Sequence, residues 1–142
     1  MLCAPDGEAD ERPLSIEVSA GLDFARIAAP ASGDATVAVD PRSAERSIGG
    51  GAVGLGGFPL AGEVVVRGTP GRPIRIDMPR EADLATADGR TVHLIRIETD
   101  LGPAPRLDAG GMLRFRFGGV LLVKPGTGGL FRGRIPITAN YL

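Results

Sequence analysis

The stretch GGLFRGRIPITANYL, residues 128–142, carries the clearest structural pattern in the chain. Apolar or small side chains alternate through it with Arg, Thr and Asn, which is the period of a β-strand with one buried face. The inward positions are Phe131, Gly133, Ile135, Ile137, Ala139 and Tyr141. The pattern predicts one long strand from Leu130 to Tyr141. Pro136 places it at an edge or a bulge, because proline has no amide donor.

The rest of the chain also favours strands over helices. The 142 residues include 22 Gly and 12 Pro, and inside a helix Gly costs about 1 kcal/mol and Pro about 3 kcal/mol relative to Ala. Short alternating runs separated by turn residues predict about eight to ten strands, which is typical of a sandwich. We therefore predict an all-β, immunoglobulin-like antiparallel β-sandwich over residues 13–142, after a polar tail over residues 1–12.

Turn residues divide this predicted sandwich. Asp88–Gly89 predicts a hairpin, and Gly118–Gly119 predicts a bulge or bend between two strands. Residues 41–61, which contain GGGAVGLGG, are predicted to be a long turn-rich segment. The remaining predicted strands cover residues 14–20, 22–27, 36–39, 63–67, 73–78, 84–86, 91–98, 112–117 and 120–123.

Charge and composition argue against several functions. The net charge is −1 and the basic residues are spread along the chain, so no nucleic-acid partner is predicted. Cys3 has no second cysteine for a disulfide, and with the single His93 it cannot form a thiolate–imidazole zinc set. The uncharged stretch Ser47–Gly62 is too weakly apolar to span a bilayer. We predict no cofactor, no metal site and no membrane insertion.

Three further patterns are candidates for a catalytic or nucleotide-binding site, and each is better explained without one. Gly49–Gly54 matches G-x-G-x-x-G, but Gly and Pro after it forbid the helix that a dinucleotide site needs. His93 lacks a serine elbow and is predicted to be a partly exposed strand residue. Four carboxylates lie close together in the sequence, namely Glu63, Asp77, Glu81 and Asp83. They are predicted to form a solvated surface, and the alternative is an enzyme whose site is centred on residues 77–83.

Three segments together resemble a known family. LDFARIA (22–28), GEVVVRGTPGRPIRIDMP (62–79) and GGVLLVKPGTGGLFRGRIPITANYL (118–142) are similar, in this order, to a bacterial family of unknown function, number 4402. That family usually has Gly where Ala25 stands and Tyr or another aromatic where Phe131 stands. The last segment also resembles the C-terminal motif of subunits assembled by the chaperone–usher route, with Tyr141 penultimate and Gly129 fourteenth from the end.

The resemblance implies an exported structural or adhesive module similar to a fimbrial subunit, in the periplasm, on the outer surface or in a fimbria. Residues 1–13 show no signal-peptide pattern. The implied partners are other subunits of the same kind or a periplasmic chaperone, joined by β-strand addition. The implied assembly edge comprises Gly129, Phe131, Ile135, Ile137, Ala139 and Tyr141.

Two alternatives stay open at this point. The implied donor strand is alternatively the first strand of the same sandwich; it comprises Leu14, Ile16, Val18 and Ala20. The module as a whole is alternatively a self-complete sandwich that binds a surface ligand or a partner protein. Four arginines are predicted to point outward from two neighbouring strands: Arg114, Arg116, Arg132 and Arg134. This arginine face would bind an anionic ligand, or alternatively it is a solvated face.

Overall fold

The computed structural model describes residues 12–85, 89–132 and 135–142, with the backbone alone at residues 85 and 130–132. Twelve strands and no helix lie in this part of the chain, which confirms the all-β class. The first six strands are β1 (Ser15–Ala20), β2 (Asp23–Ala28), β3 (Ala35–Val39), β4 (Arg46–Gly49), β5 (Val53–Gly56) and β6 (Gly62–Arg67). The last six are β7 (Ile74–Asp77), β8 (Ala82–Ala85), β9 (Thr91–Thr99), β10 (Met112–Val123), β11 (Gly129–Arg132) and β12 (Thr138–Tyr141).

The described strands form three antiparallel sheets in a sandwich-like arrangement. Seven strands form the large sheet, in the order β1-β6-β10-β3-β4, with β9 paired to β10 and β8 paired to β9. The other sheets have the orders β11-β2-β5 and β12-β7. The large sheet curls into a half-barrel, and this curl turns its apolar face toward the two smaller sheets.

Strand β10 organises the large sheet because it changes partner along its length. Met112–Phe117 pairs with β6, and Gly119–Val123 pairs with β3. The structure has one continuous strand here, where the sequence predicted two strands around a bulge or bend. The register against β9 does shift, between Val120 and Leu121. The glycines serve close packing instead: a Cβ at Gly118 would lie 2.1 Å from the carbonyl oxygen of Val39, so any larger residue would push the two strands apart.

One cluster of buried side chains holds all three sheets together. The large sheet contributes Phe115, Leu94 and Leu121, while β2 contributes Phe24 and β7 contributes Ile74, all at most 2% exposed. Burying each such side chain is worth about 1.5–3 kcal/mol. The sheets are therefore parts of one hydrophobic unit.

The glycine-rich segment corrects the prediction of a turn-rich loop over residues 41–61. It contains β4, which pairs with β3, and β5, which pairs with β2, so it crosses from the large sheet to the three-stranded sheet. Arg46 secures the crossing by donating from Nη1 to the carbonyl oxygen of Phe24 at 2.9 Å. Its guanidinium fills the space that a Cβ at Gly54 would occupy. Pairing with neighbours thus overrides the low strand propensity of glycine.

The last predicted strand, Leu130–Tyr141, is also corrected. The structure divides it into β11, which pairs with β2, and β12, which pairs with β7 in another sheet. Residues 135–137 between them are not in a strand, and Pro136 has no amide to offer a ladder. The predicted alternation still holds for residues 135–141: Ile135 is buried, Ile137, Ala139 and Tyr141 are half-buried, and the residues between them are exposed.

Ala25 adopts a backbone conformation that ordinarily favours glycine. Its φ is +63°, in the left-handed region that favours glycine, and its side chain is buried. Asp23 stabilises the irregular backbone, because its Oδ1 accepts a hydrogen bond from the Ala25 amide at 2.7 Å. Glycine, the residue that the similar family usually has here, would take this conformation without strain.

Candidate functional site

Strand β1, the predicted donor strand, pairs within its own chain. It runs antiparallel to β6 with Ser15 opposite Arg67 and Val18 opposite Val64, and a bulge follows Val18. The inward alternation is only partly present: Leu14 and Ile16 are half-buried against the core, while Val18 is half exposed. The structure thus has β1 as the first strand of this chain's own sheet.

Polar side chains cover the outer face of β1. Arg67 Nη1 donates to Glu17 Oε2 at 3.0 Å, and Ser19 Oγ lies 3.1 Å from Glu63 Oε1. The two members of the Arg67–Glu17 pair are each at least half exposed, so the pair adds about 0–1 kcal/mol to stability. Charge at an edge strand has a second effect, because it discourages pairing with another sheet.

The start of β1 is fastened by the penultimate residue. The Tyr141 hydroxyl accepts a hydrogen bond from the Thr69 amide at 2.8 Å and donates to the carbonyl oxygen of Arg12. The Arg12 amide in turn donates to Thr69 Oγ1 at 2.7 Å. The guanidinium carbon of Arg72 lies 4.6 Å from the tyrosine ring centroid, in cation–π geometry. We call Arg12, Thr69, Arg72 and Tyr141 the terminal clamp.

The terminal clamp joins the two predicted assembly elements at one point. Tyr141, from the predicted assembly edge, contacts the residues that lead into the predicted donor strand. Gly129 lies elsewhere, in β11 at an edge of the three-stranded sheet. The side chain of Phe131 lies outside the described residues, as does Gly133. Residues 1–11 of the predicted tail also lie outside them.

The predicted arginine face requires two neighbouring strands, and for Arg114, Arg116 and Arg132 that premise is wrong. Arg114 and Arg116 lie on β10 in the large sheet, whereas Arg132 lies on β11 in the three-stranded sheet. The side chain of Arg132, and Arg134 entirely, lie outside the described residues. Arg114 Nε and Arg116 Nε lie 3.6 and 3.9 Å from the carboxylate of Glu63, which offsets part of their positive charge.

The β8–β9 hairpin brings together a cluster that the sequence analysis missed. His93 Nδ1 lies 2.7 Å from Asp83 Oδ1, and its Nε2 lies 3.5 Å from Glu81 Oε2. The hydrogen bond to Asp83 raises the pKa of His93 above its ordinary value; loss of water contact opposes this effect and Glu81 adds to it. Counting back from a three-residue loop over 87–89, which contains the Asp-Gly signal, could have found the pair, because the hairpin register puts Asp83 opposite His93.

The acidic residues do not converge on a cleft. Glu81 and Asp83 have about two-thirds of their side chains exposed, and Asp77 pairs with Arg75 at 3.1 Å on β7. Glu63 lies on the outer face of β6, beside the two arginines of β10. Within residues 12–85, 89–132 and 135–142, no group of three or more His, Cys, Asp or Glu side chains is placed to hold a metal ion.

A second edge, at β5, was also missed. The exposed apolar residues here are Val53, Leu55, Phe58 and Leu60. Val53 lies within the G-x-G-x-x-G motif that is predicted to be a loop, and the other three follow it. The alternation of Val53 and Leu55 about Gly54 was the available signal. No helix in the described part of the chain is long and apolar enough to cross a membrane.

The comparisons with known proteins give one match. The chain matches the family described as Domain of unknown function (DUF4402) over residues 14–141. No curated protein and no solved structure matches it. The match covers β1 to β12 and confirms the resemblance to family 4402.

Proposed function

The chain belongs to the DUF4402 family, and from that premise we propose that it is a non-enzymatic structural module of an exported, fimbria-like assembly. Its partners would be copies of itself or a periplasmic chaperone, joined by β-strand addition. The family description assigns no function, so the proposal depends on the strand edges.

The observation that carries the proposal is the way β1 is attached. Five positions of β1 pair with β6, yet none of its six side chains is buried. Backbone hydrogen bonds therefore contribute most of the attachment, with partial burial of Ile16 adding to it. This is the mode of β-strand addition, in which the backbone supplies affinity and a few side chains supply register. An equivalent strand from a neighbouring copy would make the same bonds to β6.

The connection after β1 suits such an exchange. Only Gly21 and Leu22 separate β1 from β2. Leu22 is buried and anchors β2 in the core, while a Cβ at Gly21 would have no atom within 4 Å. Rotation at Gly21 would therefore release β1 and leave β2 in place. The terminal clamp would open in the same step, because it holds Arg12.

The test removes β1 and then supplies it as a peptide. We expect the full chain to form end-to-end oligomers at high concentration. A chain lacking residues 1–20 should be a less stable monomer, and a peptide of residues 12–22 should restore its melting temperature. The control peptide carries Ile16→Asp, which would put a charge at a half-buried position opposite the buried Val66 and should bind at least tenfold more weakly.

Two outcomes would overturn the proposal. One is a full chain that stays monomeric at every concentration, including after two differently tagged samples are unfolded and refolded together. The other is a truncated chain whose stability equals that of the full chain and that binds neither peptide.

A second candidate function is favoured by the same pairing of β1 with its own β6. A chain that completes its own sheet needs no subunit partner and would act as a self-complete module that binds a surface ligand or protein. A stable monomer in the experiment above would support it. The search would then begin with sulfated polysaccharide at Arg114 and Arg116, the described part of the predicted arginine face.

A further inference from the structure

Strand β8 is held on the large sheet by few contacts. It has four residues and pairs with β9 on one side, and no described strand pairs with its other side. Leu84 anchors it in the core at 2% exposed, whereas Asp83 is exposed. A short edge strand with one large buried side chain opens locally more easily than the strands inside a sheet. A contact at its surface can therefore change how often it opens.

The surface contact is a histidine ring between two carboxylates. His93 of β9 lies opposite Asp83 in the hairpin, and its Nδ1 lies 2.7 Å from Asp83 Oδ1. On the other side of the ring, Nε2 lies 3.5 Å from Glu81 Oε2. Asp83 belongs to β8 and Glu81 directly precedes it, so one side chain of β9 bridges two positions of the neighbouring segment.

The number of protons on the ring decides whether both contacts attract. A protonated imidazole has two N–H donors, one for each carboxylate, whereas a neutral imidazole has one donor and one lone pair. Deprotonation therefore leaves one carboxylate facing a lone pair. It also removes the positive charge that lies between two negative charges, and Glu81 and Asp83 are two residues apart, on the same face of the segment.

The other elements packed against His93 add little that changes with pH. Leu122 of β10 lies opposite the histidine in the ladder. Lys124, which follows β10, lines the same hollow as His93 and Asp83. Lysine is charged on both sides of a histidine titration, so Lys124 attracts the carboxylates equally in both states of the ring.

We propose that His93 is a pH-sensitive lock on β8: its protonated ring holds the strand against β9, and loss of the proton lets the strand open more often. Opening would uncover Val92 and Leu94, which are buried, and would free the backbone of β9 at residues 91–94. The lock is independent of strand exchange at β1, because β1 and β8 are separate edge strands of the large sheet.

The direction of the pH effect follows from these contacts. The hydrogen bond to Asp83 raises the pKa of His93 above its ordinary value of 6.5; loss of water contact opposes this effect and Glu81 adds to it. The lock is therefore fully closed below pH 6.5 and is lost as the pH rises through the raised value.

The first test is an NMR titration of the ring in the full chain, in which His93 is the single histidine. Asp83→Asn and Glu81→Gln should each lower the pKa of His93, and Asp83→Asn should lower it more. The matched control is Asp77→Asn, which removes a carboxylate paired with Arg75 on β7 and should leave that pKa unchanged. A pKa that neither Asp83→Asn nor Glu81→Gln lowers would overturn the inference.

The second test measures the opening of β8 by amide hydrogen exchange at pH 5.5 and 8.5, with each rate divided by its intrinsic value at that pH. The reference is β3, which pairs with β10 in the same sheet. Relative to β3, the opening of β8 should increase about two- to fivefold at the higher pH, as expected for exposed ion pairs. His93→Gln should abolish this increase, because glutamine does not titrate. No increase in the wild-type chain, or an equal increase in His93→Gln, would show that His93 is not the lock.

Discussion

Strands β1 and β5 are both free edges, yet they are built in opposite ways. β1 carries Glu17 and Ser19 on its outer face, with Arg67 and Glu63 of β6 as their partners, and the terminal clamp fastens its start. β5 carries Val53 and Leu55, and the apolar patch continues to Phe58 and Leu60. One edge presents hydrogen-bonded polar groups to water, and the other presents apolar surface.

The difference separates two ways of using an unpaired strand. A charged, fastened edge resists casual pairing, so exchange at β1 requires that existing bonds be broken first. At β5 no such bonds guard the strand among the described residues; its length of four residues and the register shift at Leu55 limit pairing instead. The comparison predicts slow, nearly irreversible assembly at β1.

The largest expected effect on stability comes from a side chain added at Gly68, beside the terminal clamp. A Cβ at Gly68 would lie 2.4 Å from the Tyr141 hydroxyl and 2.8 Å from Leu14 Cδ2. Gly68→Ala should lower the free energy of unfolding by about 1–3 kcal/mol, as overpacking typically does, measured by urea denaturation. Gly102→Ala is the control, because no atom lies within 4 Å of a Cβ there. Equal stability of the two variants would mean that the clamp does not hold β1.

A smaller effect should come from the clamp hydroxyl alone. Tyr141→Phe removes the acceptor of the Thr69 amide and the donor to Arg12, and should cost about 1 kcal/mol. Hydrogen exchange should show faster exchange of the β1 amides. Phe58→Ser, at the β5 edge, should change stability by no more than about 0.5 kcal/mol. If Phe58→Ser costs as much as Tyr141→Phe, the two edges are not as different as their contacts indicate.

Converting the guarded edge into an apolar one should change association more than stability. Glu17→Val with Ser19→Val removes one exposed ion pair and one hydrogen bond, so the change in unfolding free energy should stay below about 1 kcal/mol. Light scattering should nevertheless detect more association than the wild-type chain shows at the same concentration. The control Glu17→Lys keeps a charge at the edge and should show no such increase; an increase there would contradict the guarding role.

The smallest effect concerns a third edge, β8, and depends on pH. His93 has an ordinary pKa of 6.5 that the fold raises, so its contribution to stability is fully present below pH 6.5 and is lost as pH rises through the raised value. The stability difference between wild type and His93→Gln should therefore be larger at pH 5.5 than at pH 8.5, measured by urea denaturation. A difference that does not vary with pH would show that the pairing with Asp83 and Glu81 adds nothing.

Local pattern in the sequence predicted much of the fold. Alternation located β1, β2, β3, β6, β7, β9 and the two halves of β10, because a half-buried strand must alternate. The Asp88–Gly89 turn predicted the β8–β9 hairpin, which the structure shows. The pairing of His93 with Asp83 follows only from a loop of three residues, 87–89, because a two-residue turn at 88–89 would place Leu84 opposite His93.

Sheet membership, in contrast, depended on distant residues. The segment from Leu130 to Tyr141 alternates throughout, yet β11 and β12 join different sheets because their partners, β2 and β7, lie apart. The β5 edge was missed for a similar reason, since glycine-rich sequence becomes a strand only when β2 offers it a ladder. Arg132 and Arg116 share a sequence pattern but not a sheet.

The sequence by itself determined the all-β class, the family and the positions of most strands, because periodicity and turn chemistry act within about ten residues. The tertiary structure decided which strands are neighbours, and therefore which edges remain free. Each backbone ladder can be satisfied by any strand that reaches it, so only the packing of the shared core around Phe24, Ile74 and Phe115 selects one arrangement.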